Sequence, residues 1–347
     1  MDNATLKNLN HDTHTYQSFV PPNPIYIISS ASIAGDKEGK GPIGKLFDFI
    51  SEDNYFGCKN WEEAESELQK KAMEYAINKA GITENDLRLI FAGDLLAQSI
   101  ASSFGLLNFP VPVVGVYGAC SSLGLSLFLG AMSMTAGIGD YVACVTSSHF
   151  SSAEKEFRFP LAYGNQRPLS AHWTVTGSGA FILSKEPKSG NDVRLTGFTT
   201  GQIVDYGLKE SLNMGACMAP AAADTIYRHF KDFNTSPQDY DKIITGDLGK
   251  VGKLALLDLL EAKGFDITDR HMDCGIEIYN IEAQDVHAGG SGCGCCAVTL
   301  SAFILKQIKE GLWKKVLFVP TGALLSKISH NEGQSVPGIA HAVVLEV

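Results

Sequence analysis

Gly118-Ala119-Cys120-Ser121-Ser122-Leu123-Gly124 is the stretch on which the fold of this chain turns. An apolar, β-branched run from Val111 to Tyr117 leads into it, and a small-residue apolar stretch from Leu123 to Ile138 leads out. The pattern predicts a strand, a tight turn at Gly118, and a buried helix with Cys120 in its first turn. A thiol there faces unpaired backbone N–H groups and the positive end of the helix dipole. Both favour the thiolate, and cysteines so placed titrate at roughly 3.5–7.5 instead of about 8.5. A small buried hydrophobe would fit the same residue.

Composition bounds what surrounds that turn. The 347 residues suggest two domains, or one built from two halves. Hydrophobic residues make up 45% and charged residues 19%, which supports a large core and argues against disorder. A net charge of −10 argues against nucleic acid and against electrostatic docking to anionic lipid. Eight cysteines are spread along the chain with no signal peptide ahead of them, which suits reduced thiols. Residues 1–24, polar and rich in His, Asn and Thr, read as a mobile tail.

Between Asp94 and Asp140 there is no Asp, Glu, Lys or Arg. Gly105, Pro110, Pro112, Gly115 and Gly118 cut this stretch into pieces too short to cross about 30 Å of hydrocarbon. A helix–strand–helix packed deep in a soluble core is the expected form.

The chain repeats itself. Asp86-Leu87-Arg88-Leu89-Ile90-Phe91-Ala92-Gly93-Asp94-Leu95 has a counterpart in Asp239-Tyr240-Asp241-Lys242-Ile243-Ile244-Thr245-Gly246-Asp247-Leu248. Gly137 to Val145 has a looser echo in Gly311 to Val319, and the same offset aligns the Cys120 turn with Gly292-Cys293-Gly294. Two similar α/β halves follow, residues 25–187 and 188–347, each with a buried central helix and a sheet covered by helices. The join falls in the polar turn Lys185 to Asp192.

Two further stretches carry candidate chemistry. His287-Ala288-Gly289-Gly290-Ser291-Gly292-Cys293-Gly294-Cys295-Cys296 precedes the second central helix and would bring His287 to Cys120 from the other half. A Cys–His pair is the minimum for an activated thiol, although a loop histidine held for structure reads the same. The Cys-x-Cys-Cys spacing is poor for one tetrahedral site, so no metal is expected. The segment Arg158 to Gly177, with His149 just before it, mixes Arg158, Arg167 and His172 with aromatics. Arginine matches carboxylates bidentately and stacks on rings, so this loop suits an anionic, aromatic ligand or a contact surface. Gly35-x3-Gly39-x-Gly41 lacks the dinucleotide and P-loop patterns, so no cofactor is expected.

A duplicated α/β chain with Cys120 at the head of its first central helix resembles the thiolase and β-ketoacyl synthase superfamily from Ile25 to Val347. The order of elements and Trp173-Thr174-Val175-Thr176-Gly177-Ser178-Gly179-Ala180 carry that resemblance. It implies the thiolase-like fold, Cys120 as the nucleophile position and His287 as the histidine of a His-Pro-x-Gly element, with Ala288 for proline. It also implies a homodimer paired through the strand Tyr141–Val145. Gly246-Asp247 stands where the superfamily holds His or Asn, and Pro320-Thr321-Gly322 where thiolases hold a second Cys. Loss of one oxyanion donor alone costs about 10²–10³ in rate, so an efficient Claisen condensation is not expected.

A narrower likeness, to a group of sporulation proteins within the superfamily, rests on Tyr163 to Pro168, His172 to Gly177 and Thr321 to Ser326. It implies a non-catalytic pocket for dipicolinic acid or its calcium chelate, in uptake into the developing spore and release in germination. Ligand residues would be Cys120, His287, His149, Arg158, Arg167 and His172, with the Cys120 helix N-terminus taking one carboxylate. The partners would be integral membrane subunits of a transport complex, with this chain peripheral on the spore inner membrane. The alternative is an acyl-CoA-dependent acyltransferase using Cys120 and His287.

Overall fold

The computed structural model describes residues 17–157 and 167–347. Its strands are β1 (Ser18–Phe19), β2 (Ile25–Gly35), β3 (Phe49–Ser51), β4 (Leu89–Gly93), β5 (Val113–Gly115), β6 (Tyr141–Ser148), β7 (Trp173–Thr174) and β8 (Gly177–Ser184). Then come β9 (Val193–Thr199), β10 (Lys242–Thr245), β11 (His271–Asp273), β12 (Gly290–Ser291), β13 (Lys315–Val319), β14 (Thr321–Ala323), β15 (Gly338–Ala340) and β16 (Ala342–Glu346). The main sheet runs β5-β4-β6-β8-β2-β9-β16-β13-β10-β11. That order reads alike from both edges toward the centre. β4 is parallel to β5 and β6, as β10 is to β11 and β13. β8 and β16 are antiparallel to their neighbours on both sides, and β2 meets β9 antiparallel at the pseudo-twofold axis. The repeated Gly-Asp-Leu therefore lies at the ends of β4 and β10, at equivalent places in the sheet.

The helices that matter for the site are α1 (Asp36–Gly39), α2 (Trp61–Ala80), α3 (Ile100–Gly105), α4 (Ser122–Thr135), α5 (Phe150–Phe157), α6 (Met214–Asp232), α7 (Gly249–Glu261), α8 (Cys274–Glu277) and α9 (Cys293–Thr299). α4 and α9 are the expected pair of central helices. All seven residues of α9 are buried, as are Leu123, Leu127, Ala131 and Met134 of α4. The glycines of Gly177-Ser178-Gly179 have a steric cause. A Cβ on Gly179 would lie 2.7 Å from the backbone carbonyl carbon of Ala297, so α9 can rest directly on β8 only if that position has no side chain.

Three expectations change. The chain is already in the sheet before residue 24: Ser18 and Phe19 pair with Thr199 and Phe198, and the Phe19 ring packs against Phe128 and Phe198. The charge-free stretch is buried at α4 but not at α3 and β5. There Phe104, Leu107, Val113, Val114 and Tyr117 are exposed along the sheet edge. The strand Tyr141–Val145 cannot pair with another chain, because both edges of β6 are taken, by β4 and by β8. The free edge of that half is β5. Among the described residues no helix is long and apolar enough to cross a membrane.

Candidate functional site

The turn that presents Cys120 is made at Ala119, not at Gly118. Ala119 has φ +49°, a left-handed conformation that costs a residue with a Cβ and is held here by its surroundings. The Cys293 thiol donates to the Ala119 carbonyl (3.0 Å), and the Cys296 thiol to that of Cys120 (3.7 Å). Cys295 donates to the Gly246 carbonyl at the end of β10 (3.5 Å). The three thiols of α9 thus tie down the backbone turns on either side of it. This is what the Cys-x-Cys-Cys pattern does, and all eight cysteines are free. Gly322 completes the cradle: a Cβ there would sit 2.4 Å from the Gly118 carbonyl oxygen, so β14 lies against the cysteine turn with no side chain between.

Cys120 is not in the first turn of a helix. α4 starts two residues later, with Ser121 as its N-cap. The amides of Ser121 and Ser122 already bond the carbonyls of Gly118 and Ala119, at 3.0 and 3.1 Å. Those two donors are therefore not available to a carboxylate.

What faces the thiol is an acid and two hydroxyls. Ser291 Oγ lies 3.7 Å from Cys120 Sγ and donates to Asp247 Oδ2 at 2.6 Å. Thr321 Oγ1 donates to Asp247 Oδ1 at 2.6 Å, and the Gly292 amide to Oδ2 at 3.2 Å. Since Ser291 gives its proton to Asp247, it accepts from Cys120, so the chain of bonds runs S–H to O–H to carboxylate. The expected low thiol pKa is overturned. Burial pushes the Cys120 thiol well above its ordinary value, and the Asp247 carboxylate adds to the rise. The helix dipole contributes about 0.3–1 kcal/mol at most sites, whereas a buried unpaired charge costs several. Asp247 is itself raised by burial, against hydrogen bonds from Ser291 and Thr321 that lower it. The proton stays on sulfur.

Cys120 lines a narrow cavity of about 30 Å³, room for little more than a water-sized group. Leu95, Ala153, Met214, Ala323 and Leu325 give it apolar walls, and Thr174, Ser211 and Ser291 add hydroxyls. Among the described lining residues there is no Lys, Arg or His.

The histidines expected at the site are elsewhere. His287, at φ +55°, places Nδ1 2.9 Å from the Pro168 carbonyl and Nε2 3.0 Å from Asp285 Oδ1, and it does not line the cavity. Ser291, four residues on, holds the place opposite Cys120. His149 accepts from the Ser151 amide through Nδ1 and donates from Nε2 to the Asn54 carbonyl (2.8 Å); burial lowers its pKa and keeps it neutral. His172 donates from Nε2 to the Leu248 carbonyl (3.1 Å), where it supports the start of α7. Arg167 bonds Asp285 and lies over Trp173, whose neighbour Thr174, not Trp173 itself, lines the cavity. Arg158 lies outside the described residues. Of the five expected ligand residues that the structure describes, only Cys120 lines the cavity. Asp247 and Thr321 were visible in the sequence as departures from the superfamily pattern; Ser291 was hidden in a glycine-rich run that admits more than one register.

The sheet order and the two central helices define a protein of the thiolase-like fold. The sheet and its paired central helices match those of 3-oxoacyl-[acyl-carrier-protein] synthase III from Aquifex aeolicus VF5, at TM-score 0.56 and 14% identity over 93% of this chain and 100% of that one. They also match human mitochondrial 3-ketoacyl-CoA thiolase in complex with CoA, at TM-score 0.59 and 13% identity over 95% and 99%. Those identities speak for the fold. Residues 15–346 match the family described as Stage V sporulation protein AD. The Bacillus subtilis (strain 168) protein of that name is 41% identical over 330 residues, covering 95% of this chain and 96% of that one. The chain belongs to the stage V sporulation protein AD family.

Proposed function

We propose that this chain is a non-catalytic binding protein of sporulation that holds dipicolinic acid in the Cys120 cavity, for uptake into the developing spore and release in germination. The observation that carries the reading is the closed Asp247–Ser291–Thr321 set opposite a neutral thiol. A Claisen or acyl-transfer site needs a base for the thiol and donors for the oxyanion. Here the nearest acid repels the thiolate, and two hydroxyls are spent on that acid. The apolar walls with a few hydroxyls suit a flat ring in character, and the cavity, about 30 Å³ in this structure, must widen to admit one. The described walls carry no cation, so the 1:1 calcium chelate, which has no net charge, suits the cavity better than the bare dianion. The sporulation setting comes from family membership.

A net charge of −10 disfavours direct binding to anionic lipid, so peripheral association with the spore inner membrane would run through integral membrane subunits. A homodimer would use the free edge of β5, where Val113 and Val114 are exposed.

Calorimetry with dipicolinate, with and without Ca²⁺, tests the reading. The expected result is saturable binding that Ala323→Trp, which fills the cavity, abolishes. No heat with either form would sink it. A second reading, an acyltransferase, keeps one observation in its favour: the strained Ala119 turn delivers Cys120 to a cavity wall. Incubation with a panel of acyl-CoAs and mass spectrometry of the Cys120 peptide decides between them, since an adduct that forms and turns over would establish catalysis.

A further inference from the structure

Lys37 and Arg167 stand over the same indole. Lys37 Nζ is 3.8 Å from the Trp173 ring centroid and the Arg167 guanidinium carbon is 5.0 Å from it. Phe150 stacks on the same ring at 5.2 Å and 18°. Like charges so close repel, and a charged side chain is costly to bury unless it is paired. Yet the Arg167 side chain is only 6% exposed. Its Nη2 donates to the carbonyl and to Oδ2 of Asp285, at 2.9 and 3.1 Å. Its Nε and Nη1 are buried with no hydrogen-bond partner.

Among the described residues, the nearby acids are committed elsewhere or shared. Glu38, next to Lys37, accepts from Tyr279 and from the Thr176 amide. Asp36 pairs with Lys40. Asp285, the remaining acid, is 76% exposed and is shared between Arg167 and His287. A chain of net charge −10 thus keeps, among the described residues, a local excess of positive charge, with two guanidinium nitrogens unused. Proteins leave such donors unmet rarely, and a guanidinium fork matches a carboxylate in shape.

We propose that Lys37 and Arg167, held over Trp173, form a binding site for a carboxylate of a small ligand, separate from the Cys120 cavity. The separation follows from strand geometry. Successive side chains of a strand point to opposite faces. Thr174 lines the cavity, so its neighbour Trp173 in β7 faces the other way. The register of β7 against β12, Trp173 beside Gly290, holds the indole in place, and the Gln284 side chain ties the Asp285 segment to the Lys37 carbonyl. The site does not depend on the dipicolinate reading.

The test titrates benzoate and inorganic phosphate into the full chain, read by calorimetry and by tryptophan fluorescence. Benzoate binding is expected, and Arg167→Gln should weaken it about 10- to 100-fold, the worth of a charge-assisted hydrogen bond. Lys37→Met should weaken it about 10-fold, and Asp285→Asn should tighten it, because a competing carboxylate is gone. Ala323→Trp should leave benzoate binding intact while removing dipicolinate from the cavity, so the two readings fail separately. Phosphate binding that the same substitutions weaken, without benzoate binding, would overturn the carboxylate assignment. Benzoate affinity unchanged in Lys37→Met and Arg167→Gln, or no benzoate binding at millimolar concentration, would overturn the site. The Lys37 side chain is half-buried and, among the described residues, forms no hydrogen bond or ion pair, so its substitution remains informative if Arg167→Gln fails to fold.

Discussion

Asp247→Asn should wake the thiol of Cys120. The carboxylate is reached from the sulfur through Ser291, by contacts of 3.7 and 2.6 Å, so the two charges would lie at most about 6 Å apart. At that distance and an effective dielectric of about 20, their repulsion is roughly 3 kcal/mol, or about 100-fold in an equilibrium constant. Asparagine removes the charge and keeps the shape. Its amide oxygen can still accept from Ser291, and its amine can donate to Thr321 Oγ1, so the hydrogen-bond loss should stay near 1 kcal/mol. The thiolate fraction of Cys120 at neutral pH should therefore rise about 100-fold, and the alkylation rate with it, moderated by the lower nucleophilicity of a more acidic thiol. The measurement is peptide-resolved iodoacetamide labelling from pH 7 to 10. Cys144 serves as the internal control: it is buried, pushed up by burial alone, and distant from Asp247 in the causes of its shift. An unchanged Cys120 rate in Asp247→Asn, with the cavity still open to the reagent, would show that burial alone silences the thiol and that the acid has no part in it.

Stability should peak between about pH 6 and 7. Burial raises Asp273 to about 6 and Glu65 to about 8, so their contribution is full below their unfolded values near 4 and is lost as pH rises through 6 and then 8. Burial lowers His229 and His271 to about 3 and His341 to about 4, so theirs is full above 6.5 and is lost as pH falls toward 4; a thermal midpoint that climbs steadily to pH 9 would contradict this balance. Gly179→Ala should destabilise the fold by about 2–3 kcal/mol in urea unfolding, because its Cβ meets the α9 backbone, which cannot step aside. His287→Ala should leave Cys120 labelling unchanged within twofold, since His287 bonds Pro168 and Asp285. Val114→Lys should turn a β5-paired dimer into a monomer by sedimentation at micromolar concentration, and a dimer that survives would move the interface elsewhere.

Local signals carried the fold and failed at the site, for one physical reason. The two halves show in the sequence because the acid after Gly93 and Gly246 ends a buried strand at matching places in the sheet. The first central helix shows because most of α4 is buried or packed on the core, which leaves its surface uncharged. Chemistry at Cys120, however, is set by groups far along the chain. Its local context, a strand, a turn and a helix, favours a thiolate; burial under the other half reverses the sign, and Asp247, delivered by β10, adds to the reversal. The same gap explains the misplaced histidine. In His287-Ala288-Gly289-Gly290-Ser291-Gly292, the residue that meets Cys120 depends on where β12 joins β7, and the pairing of Ser291 with Thr174 selects Ser291. Arg167 stands out in the sequence as a candidate ligand residue by type, but its face does not, because one step along β7 separates the cavity from the indole side. The thiol is silenced first by burial and second by the Asp247 carboxylate, and only the second can be removed by changing one residue while Ser291 keeps an acceptor.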